Sequence, residues 1–555
     1  MSLVKQRLLV FLVPLILALP FINRAYFVDD HYFVEMAEWL KVHPGLPYHF
    51  RADDAGLQNR GWEENGMVRM VNPPVHQYFL AFLLKLGGEK EWFLRLGCVM
   101  LSCFSGLFIF GLARRWTKYP LLSTLLVLAT PAFWLSSYSL LIDSTAGFFF
   151  LGALLFFVKG SEEDSRFPAR REWLFIILSG VFMGLAVLTK YPALLIVPVT
   201  FLWWLFNFKS LRRPWIFFVA WGISFLFLLG FSLYTAHVYG EPHILAASRR
   251  MMVSGNVAKL AFFVFFAGAT IVPVVAWWVN GIWINLLLAG GGVGIAGFLA
   301  SRFGGFSVWQ AGLFAFWTCS SFAFFVALLV FYFKWGWIYP RDHFLVGWIL
   351  GFVLMMSYVM PWVAARYYLI ALPAIVFLGA RFIECRWGKN ARKIMAGLLA
   401  GMVVLGAGLA YADYQQAETN RRLVGDLKSR GFSGGPGHYY LGDSFTMSYM
   451  KNEGWTPCFP DTQFRVGDLV LGRSVTMPLV WFKKCPIEVK IVKAFDYPTW
   501  FPVKVMDYHG SAGFYASVWG VLPFTFSSVP WERYYLVEVT RVLRISPNSA
   551  TMPVS

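Results

Sequence analysis

Runs of roughly 17–25 predominantly apolar residues recur through the first three-quarters of this 555-residue chain. At about 1.5 Å per helical residue, each is long enough to cross roughly 30 Å of hydrocarbon. A backbone in lipid must satisfy its own hydrogen bonds, so these runs read as helices. Composition agrees: the chain is 58% hydrophobic and 14% charged, too little polar surface for a soluble protein of this length. The fold class is a polytopic α-helical membrane protein.

The residues before Asn23 read as a first span, Lys5 and Arg7 followed by an apolar run to Ile22, with no small-residue cleavage signal after it and the N-terminus in the cytoplasm. Further spans are expected near 92–112, 120–138, 142–158, 173–189, 191–207, 214–236, 258–279, 282–300, 309–333, 344–362, 367–383 and 394–411. With the first, that makes about thirteen transmembrane helices. Charge tests the parity. Arg114, Arg115 and Lys118, Lys159 to Arg171, Lys209 to Arg213, Lys334 with Arg341, and Arg381 to Lys393 all fall on the cytoplasmic side of this threading. A miscount by one helix would turn every later cluster outward. The formal charge of +18 is therefore mostly loop charge facing anionic lipid, and nucleic acid is not a partner.

Two large segments are left outside, in the arrangement expected of a multi-pass cell (inner/cytoplasmic) membrane protein. One is the loop 23–91. The other is the tail 412–555, which separates from the transmembrane domain 1–411 by composition. Gly434-Gly435-Pro436-Gly437 is a turn signal, and Tyr439–Leu441, Leu469–Leu471, Ile487–Val492 and Tyr534–Val539 are β-rich. The tail is expected to be a mixed α/β extracytoplasmic C-terminal domain. Cys458 and Cys485 lie within it, and both a disulfide and two thiols are open to them. No internal repeat is found, which argues against transporters built from paired halves.

The candidate chemistry sits on the outer face. Asp29 and Asp30 follow the first span directly. Asp143 stands in the next outer hairpin, where a lone carboxylate between membrane helices is costly unless used or paired. The bland reading of both sites is a helix N-cap. Val71-Asn72-Pro73-Pro74-Val75-His76-Gln77-Tyr78 enters a short amphipathic helix, and Arg95 follows early in the second span. Lys190, in Lys190-Tyr191-Pro192, and Arg366, in Arg366-Tyr367-Tyr368, are cations on the outer side, against the charge trend. A bound phosphate explains such cations, and snorkelling is the alternative. His237, Glu241 and His243, beside Arg249 and Arg250, offer residue types that hold a divalent metal, although their spacing fits structural polar contacts better. No motif demands a cofactor, and that metal is the one candidate.

Taken in order, the acidic pair, the Pro-Pro-x-x-x-Tyr segment ending in Arg95-Leu96, the lone Asp143, Leu188-Thr189-Lys190-Tyr191-Pro192 and Arg366-Tyr367-Tyr368 resemble the GT-C glycosyltransferases of the protein O-mannosyltransferase and aminoarabinose transferase superfamily. These are dolichyl-phosphate-mannose-protein mannosyltransferase-related proteins of glycosyltransferase family 39 type. The similarity runs over about residues 6–411 and loosely into the tail; the order and shared sidedness of the motifs carry it. The resemblance implies a GT-C fold and an inverting transfer of a sugar from a polyprenyl-phosphate-linked donor to an acceptor hydroxyl of a glycan, lipid or protein. Asp29 matches the catalytic acidic position and Asp143 the second one. Arg366 falls in the region used for the donor phosphate, with Asp30, Tyr78, Arg95, Lys190 and Tyr367 as further substrate-binding candidates. Two positions depart from the pattern: Asn72 stands where a basic residue often precedes the Pro pair, and Tyr32 where an Arg often follows the first acid. Both remove phosphate-binding charge, which another cation must supply.

In the chemistry this implies, Asp29 takes the acceptor proton while Arg366, with Lys190 or Arg95, stabilises the departing phosphate. The prenyl tail is expected in a groove lined with Phe and Trp. A transporter or flippase of a polyprenyl-linked or small anionic solute is the alternative from another class. Its expected mark is ionisable residues near the bilayer midplane, whereas here they gather at the outer ends of spans. A non-catalytic scaffold would leave the shared face of Asp29, Asp143 and Arg366 to accident.

Overall fold

The computed structural model describes residues 1–48, 71–161, 169–211, 214–251, 321, 324–337, 339–360, 362–441, 447–458, 462–476, 487–517, 519–520 and 522–543. Its helices, numbered along the described chain, begin with α1 (Leu3–Ala18), α2 (Asp30–Val42), α3 (Val75–Gly87) and α4 (Glu91–Trp116). Then come α5 (Pro120–Ala129), α6 (Pro131–Ser137), α7 (Ile142–Gly160), α8 (Ala169–Val187), α9 (Ile196–Asn207), α10 (Phe217–Tyr239) and α11 (His243–Met251). The last are α12 (Pro340–Tyr358), α13 (Leu372–Trp387), α14 (Ala391–Ser429) and α15 (Met447–Asn452).

Among the described residues, five helices are long and apolar enough to cross a membrane, or six if a bent pair counts as one span. The expected spans 258–279 and 282–300, and most of 309–333, lie outside the described residues, so the total of thirteen is not established. The bent pair is the expected span 120–138. It breaks by 66° between α5 and α6 because Pro131 excludes helical backbone at the residue before it. Thr130 is accordingly extended, and its hydroxyl accepts from the Phe133 amide at 3.3 Å to start the second helix. The expected span 191–207 likewise opens as a 3-10 turn, Tyr191–Leu195, before α9.

α1 packs on α4 through Gly106, where an added Cβ would stand 3.0 Å from the Val10 carbonyl oxygen. α14 continues unbroken for 39 residues. At ~1.5 Å per residue it is about 58 Å long, roughly twice the hydrocarbon thickness. Its first half is apolar and its second half polar, so the helix projects out of the bundle.

Beyond it, five strands form one mixed sheet in the order β2-β1-β3-β9-β4. They are β1 (His438–Leu441), β2 (Thr456–Cys458), β3 (Leu469–Arg473), β4 (Ile487–Tyr497) and β9 (Glu532–Val542). β1 runs parallel to β2 and β3, while β9 is antiparallel to β3 and β4. All four β-rich runs read from the sequence fall within strands of this sheet. Two-residue strands complete the tail: β5 (Val503–Lys504), β6 (Met506–Asp507), β7 (Ala512–Gly513) and β8 (Thr525–Phe526). Cys458 is buried in β2; Cys485 lies outside the described residues, and with it the proposed bridge.

Candidate active site

The turn that carries the acidic pair follows from the end of α1. Arg24, at the apolar boundary, would be prohibitively costly without partners, and it is fully buried between two carboxylates. Its Nη1 donates to Asp30 Oδ2 at 2.9 Å, and its Nε stands 2.7 Å from Asp413 Oδ2 on α14. Asp30 is equally closed in. It also accepts from Arg95 Nη2 at 2.9 Å, from the Leu140 amide at 3.0 Å and from the Phe27 amide at 3.2 Å. Arg95 spends its other donors on backbone carbonyls: Arg24 O at 2.8 Å, Tyr138 O at 2.8 Å and Ala25 O at 2.9 Å. Two guanidinium groups and two carboxylates thus neutralise one another and pin the turn to α4, to the α6–α7 hairpin and to α14.

The pinning is needed locally. Val28 has φ +56°, left-handed backbone that is costly for a β-branched residue. Its neighbour Asp29 occupies the N-cap position of α2 but accepts no capping hydrogen bond. Its carboxylate points instead toward a second cluster, with about one-third of its side chain exposed.

That cluster joins three other elements. Arg366, in a 3-10 turn (Ala365–Ile370), places Nη2 at 3.8 Å from Asp29 Oδ2 and Nε at 3.1 Å from Asp143 Oδ2. Asp143 lies in the first turn of α7, whose cap is Leu141, so capping does not account for it either. Its other oxygen accepts from Lys190 Nζ at 2.6 Å. Lys190 also sits 4.0 Å from the Tyr367 ring centroid, in cation–π range. Burial, together with Arg366, holds the Lys190 ammonium below its ordinary value against the pull of Asp143. Among the described residues, Arg366 Nε meets Asp143 only as an ion pair, and the buried Nη1 has no hydrogen-bond acceptor. Buried guanidinium donors left open are costly unless a ligand takes them, and an anionic oxygen fits them.

A narrow pocket runs between Asp143, Lys190, Arg366 and Tyr367 and the thioether wall of Met355, Met356 and Met360. It shares Pro192 and Met355 with an apolar cavity of about 400 Å³, which is lined also by Tyr191, Leu194, Leu195, Ile244, Tyr358 and Val359. Among the described residues, this cavity is lined mainly by aliphatic side chains, Met and Tyr.

The structure thus brings Asp29, Asp143, Lys190, Arg366 and Tyr367 together. It does not bring Asp30 or Arg95, which are locked in the neutral network behind the turn, nor Tyr78, whose hydroxyl donates to the Pro44 carbonyl oxygen. Two of the three residues suggested for a metal are engaged with other side chains. His243 is buried, paired to the Tyr191 hydroxyl at 2.7 Å and stacked on Tyr48, and Glu241 pairs with Arg249. Among the described residues no group of three His, Cys, Asp or Glu side chains lies close enough to hold a metal. Sequence reasoning missed Arg24 and Asp413. Both carried the signal used for Arg366, an ionisable side chain at the end of an apolar run.

Residues 71–235 match the family described as dolichyl-phosphate-mannose-protein mannosyltransferase, PMT_2. Among solved structures, apo ArnT from Cupriavidus metallidurans matches with a TM-score of 0.52 at 12% identity, over 98% of this chain and 100% of that one. The same protein bound to undecaprenyl phosphate gives 0.49 at 13% identity, over 98% of each chain. The S. cerevisiae protein O-mannosyltransferase Pmt1-Pmt2 complex bound to the sugar donor gives 0.32 at 17% identity, over 50% of this chain and 38% of that one. No curated protein matches the chain. The protein has the GT-C membrane fold. The family match rests on residues 71–235, under a third of the chain.

Proposed function

We propose that the protein is an inverting membrane glycosyltransferase that moves a sugar from a polyprenyl-phosphate donor to an acceptor hydroxyl on the extracytoplasmic side. In this reading residues 1–411 form the catalytic membrane domain and residues 412–555 the outer domain. One observation carries the proposal: Asp143, Lys190 and Arg366 line a pocket, with Asp29 paired to Arg366 beside it, and that pocket shares Pro192 and Met355 with an apolar cavity of about 400 Å³. A lipid-linked sugar phosphate has this same polarity, an anionic head joined to an aliphatic tail. The description of the matching family names a donor of that class.

The residues divide the work. The donor phosphate sits on the Arg366 guanidinium, at its open Nη1 donor, with Lys190 beside it, and its leaving charge is stabilised there as the glycosidic bond breaks. A glycosyl phosphate leaves without prior protonation, so a single carboxylate base suffices, unlike the acid-and-base pair of glycoside hydrolysis. Asp29, the more exposed carboxylate, accepts the acceptor hydroxyl's proton on the opposite side of the anomeric carbon. Asp143 holds both cations in place and keeps the empty site from carrying two unpaired buried charges. The aliphatic cavity takes the first isoprene units.

The test is extraction of lipids that co-purify with the protein, followed by transfer assays with the polyprenyl-phosphate sugars found. Release of polyprenyl phosphate coupled to glycosylation of an acceptor, with inverted anomeric configuration, is expected. Absence of any polyprenyl phosphate from the extract, together with no turnover of added donors, rejects the proposal.

A further inference from the structure

The loop of Arg366 and the turn of Asp29 are far apart in sequence, yet one short segment of the tail touches both supports. Phe514 O accepts from the Ala365 amide at 3.1 Å, and the Ser517 amide donates to Val363 O at 2.8 Å. The Ser517 hydroxyl in turn accepts from the Val363 amide at 3.1 Å. Three hydrogen bonds therefore tie residues 514–517 to the strand leading directly into Arg366.

Between those ties, the side chain of Tyr515 reaches the other way. It is buried, and its hydroxyl donates to Asp413 Oδ1 at 2.7 Å while accepting from Arg24 Nη2 at 3.2 Å. Arg24 holds Asp30, the residue after Asp29. The Tyr515 ring also meets Phe27 edge-on at 6.3 Å between centroids.

The segment is itself stiff. A Cβ on Gly513 would stand 2.4 Å from the Ala516 carbonyl oxygen, and one on Gly520 would stand 2.2 Å from the Ser511 carbonyl carbon, so both turns are closed against any side chain. Gln416 of α14 fixes the other end, accepting from the Val505 and Met506 amides at 3.0 and 3.1 Å and donating to Met506 O at 2.6 Å.

We infer that residues 514–517 act as a strap that sets the gap between Asp29 and Arg366, with Tyr515 and Ser517 as positioning residues for the transfer step. The inference rests on the proposed function, because only a reaction flanked by those two side chains makes their spacing matter. Neither residue touches substrate. Each acts through a partner: Ser517 through the backbone before Arg366, Tyr515 through Arg24 and Asp413 on the turn before Asp29. A misplacement of a reacting group by about 1 Å costs on the order of 100-fold in rate while leaving binding largely intact.

The experiment uses the full chain in lipid nanodiscs, with undecaprenyl phosphate as the binding probe and host polyprenyl-phosphate sugars as donor. Tyr515→Phe and Ser517→Ala are compared with wild type and with Ser517→Thr, which keeps the hydroxyl acceptor. Expected for the first two, assayed where each variant is fully folded, is a kcat lower by about 10- to 100-fold, with undecaprenyl phosphate affinity little changed. Hydrogen exchange should quicken over residues 362–368 in Ser517→Ala and over 24–31 in Tyr515→Phe, and Ser517→Thr should recover both rate and protection. Wild-type kcat in both variants overturns the inference, as does loss of rate that tracks loss of probe binding or of global stability. A wild-type protein that neither binds the probe nor turns over donor overturns the site reading and the inference with it. That failure is told apart because it is seen before any variant is compared.

Discussion

The Arg366 Nη2 stands 3.8 Å from the Asp29 carboxylate, near enough to share an electrostatic field and too far for a hydrogen bond. So loose an ion pair is one that an incoming phosphate can displace, freeing the Asp29 carboxylate for the acceptor hydroxyl. Asp29 makes no capping bond to its helix and is about one-third exposed, so Asp29→Asn should change stability by no more than about 0.5 kcal/mol. It should lower kcat by on the order of 100- to 10,000-fold, the contribution of a positioned general base. Transfer rate and melting temperature measured on the same purified variant check this. Near-wild-type turnover removes Asp29 from the mechanism.

Arg366→Ala tests the phosphate site. Its Nη1 finds no hydrogen-bond acceptor among the described residues, and its Nε pairs with Asp143 at 3.1 Å, so truncation deletes the open donor and that pair while leaving Lys190 paired to Asp143 at 2.6 Å. Donor kcat/KM should fall on the order of 100-fold or more, with the acceptor KM moving far less. Arg366→Lys should recover little, because an ammonium cannot reproduce the forked donors. Equal losses toward donor and acceptor would argue for general disruption of the pocket.

Arg95 makes the opposite prediction. It lies fully buried, with three carbonyls and Asp30 as its partners, and none of the pocket as its neighbour. Arg95→Ala leaves a buried carboxylate short of one of its two cations and three carbonyls without donors, a loss of about 3–5 kcal/mol. The expected phenotype is low yield and a lowered melting temperature in detergent, before any kinetic question arises. A well-folded Arg95→Ala protein with weakened donor binding would restore the phosphate-binding role that the sequence suggested.

The contrast between Arg95 and Arg366 marks how far the sequence could be read. Both are arginines near the outer end of a span, and both fit a phosphate. What separates them is which neighbours already use their donors, and that depends on backbone carbonyls of residues 24, 25 and 138, whose approach no pattern in the chain encodes. Asp29 and Asp30 divide in the same way: one residue of helical rotation turns one carboxylate to the pocket and the other into the bundle. The apolar runs were legible because membrane burial acts on local composition. The β-rich runs of the tail were legible because period-2 patterning survives in each strand. The 66° break at Pro131 was signalled by the proline, whereas the path of residues 514–517 back to Val363 and Ala365 was not, since main-chain pairing leaves no residue signature.

His76 supplies a pH prediction. It sits in α3 with Nδ1 at 2.9 Å from Thr145 Oγ1 and Nε2 at 2.7 Å from Leu140 O, so the carbonyl requires a proton on Nε2 and the Thr145 hydroxyl donates to a bare Nδ1. These bonds tie α3 to the start of α7, where Asp143 stands. Burial pushes the imidazole down to about 4 from an ordinary 6.5, despite support from Leu140 O and the nearby carboxylates. The folded state therefore holds His76 neutral while the unfolded chain protonates it below about pH 6.5, so stability is full above that pH and is lost as pH falls toward 4. At pH 5 the loss amounts to about 2 kcal/mol. Melting temperatures at pH 7.5 and pH 5.0 should show this drop in the wild type. His76→Gln keeps a donor for Leu140 O without the titration, so it should start lower at pH 7.5 and fall less. Equal acid losses in the two proteins would assign the pH dependence to other groups.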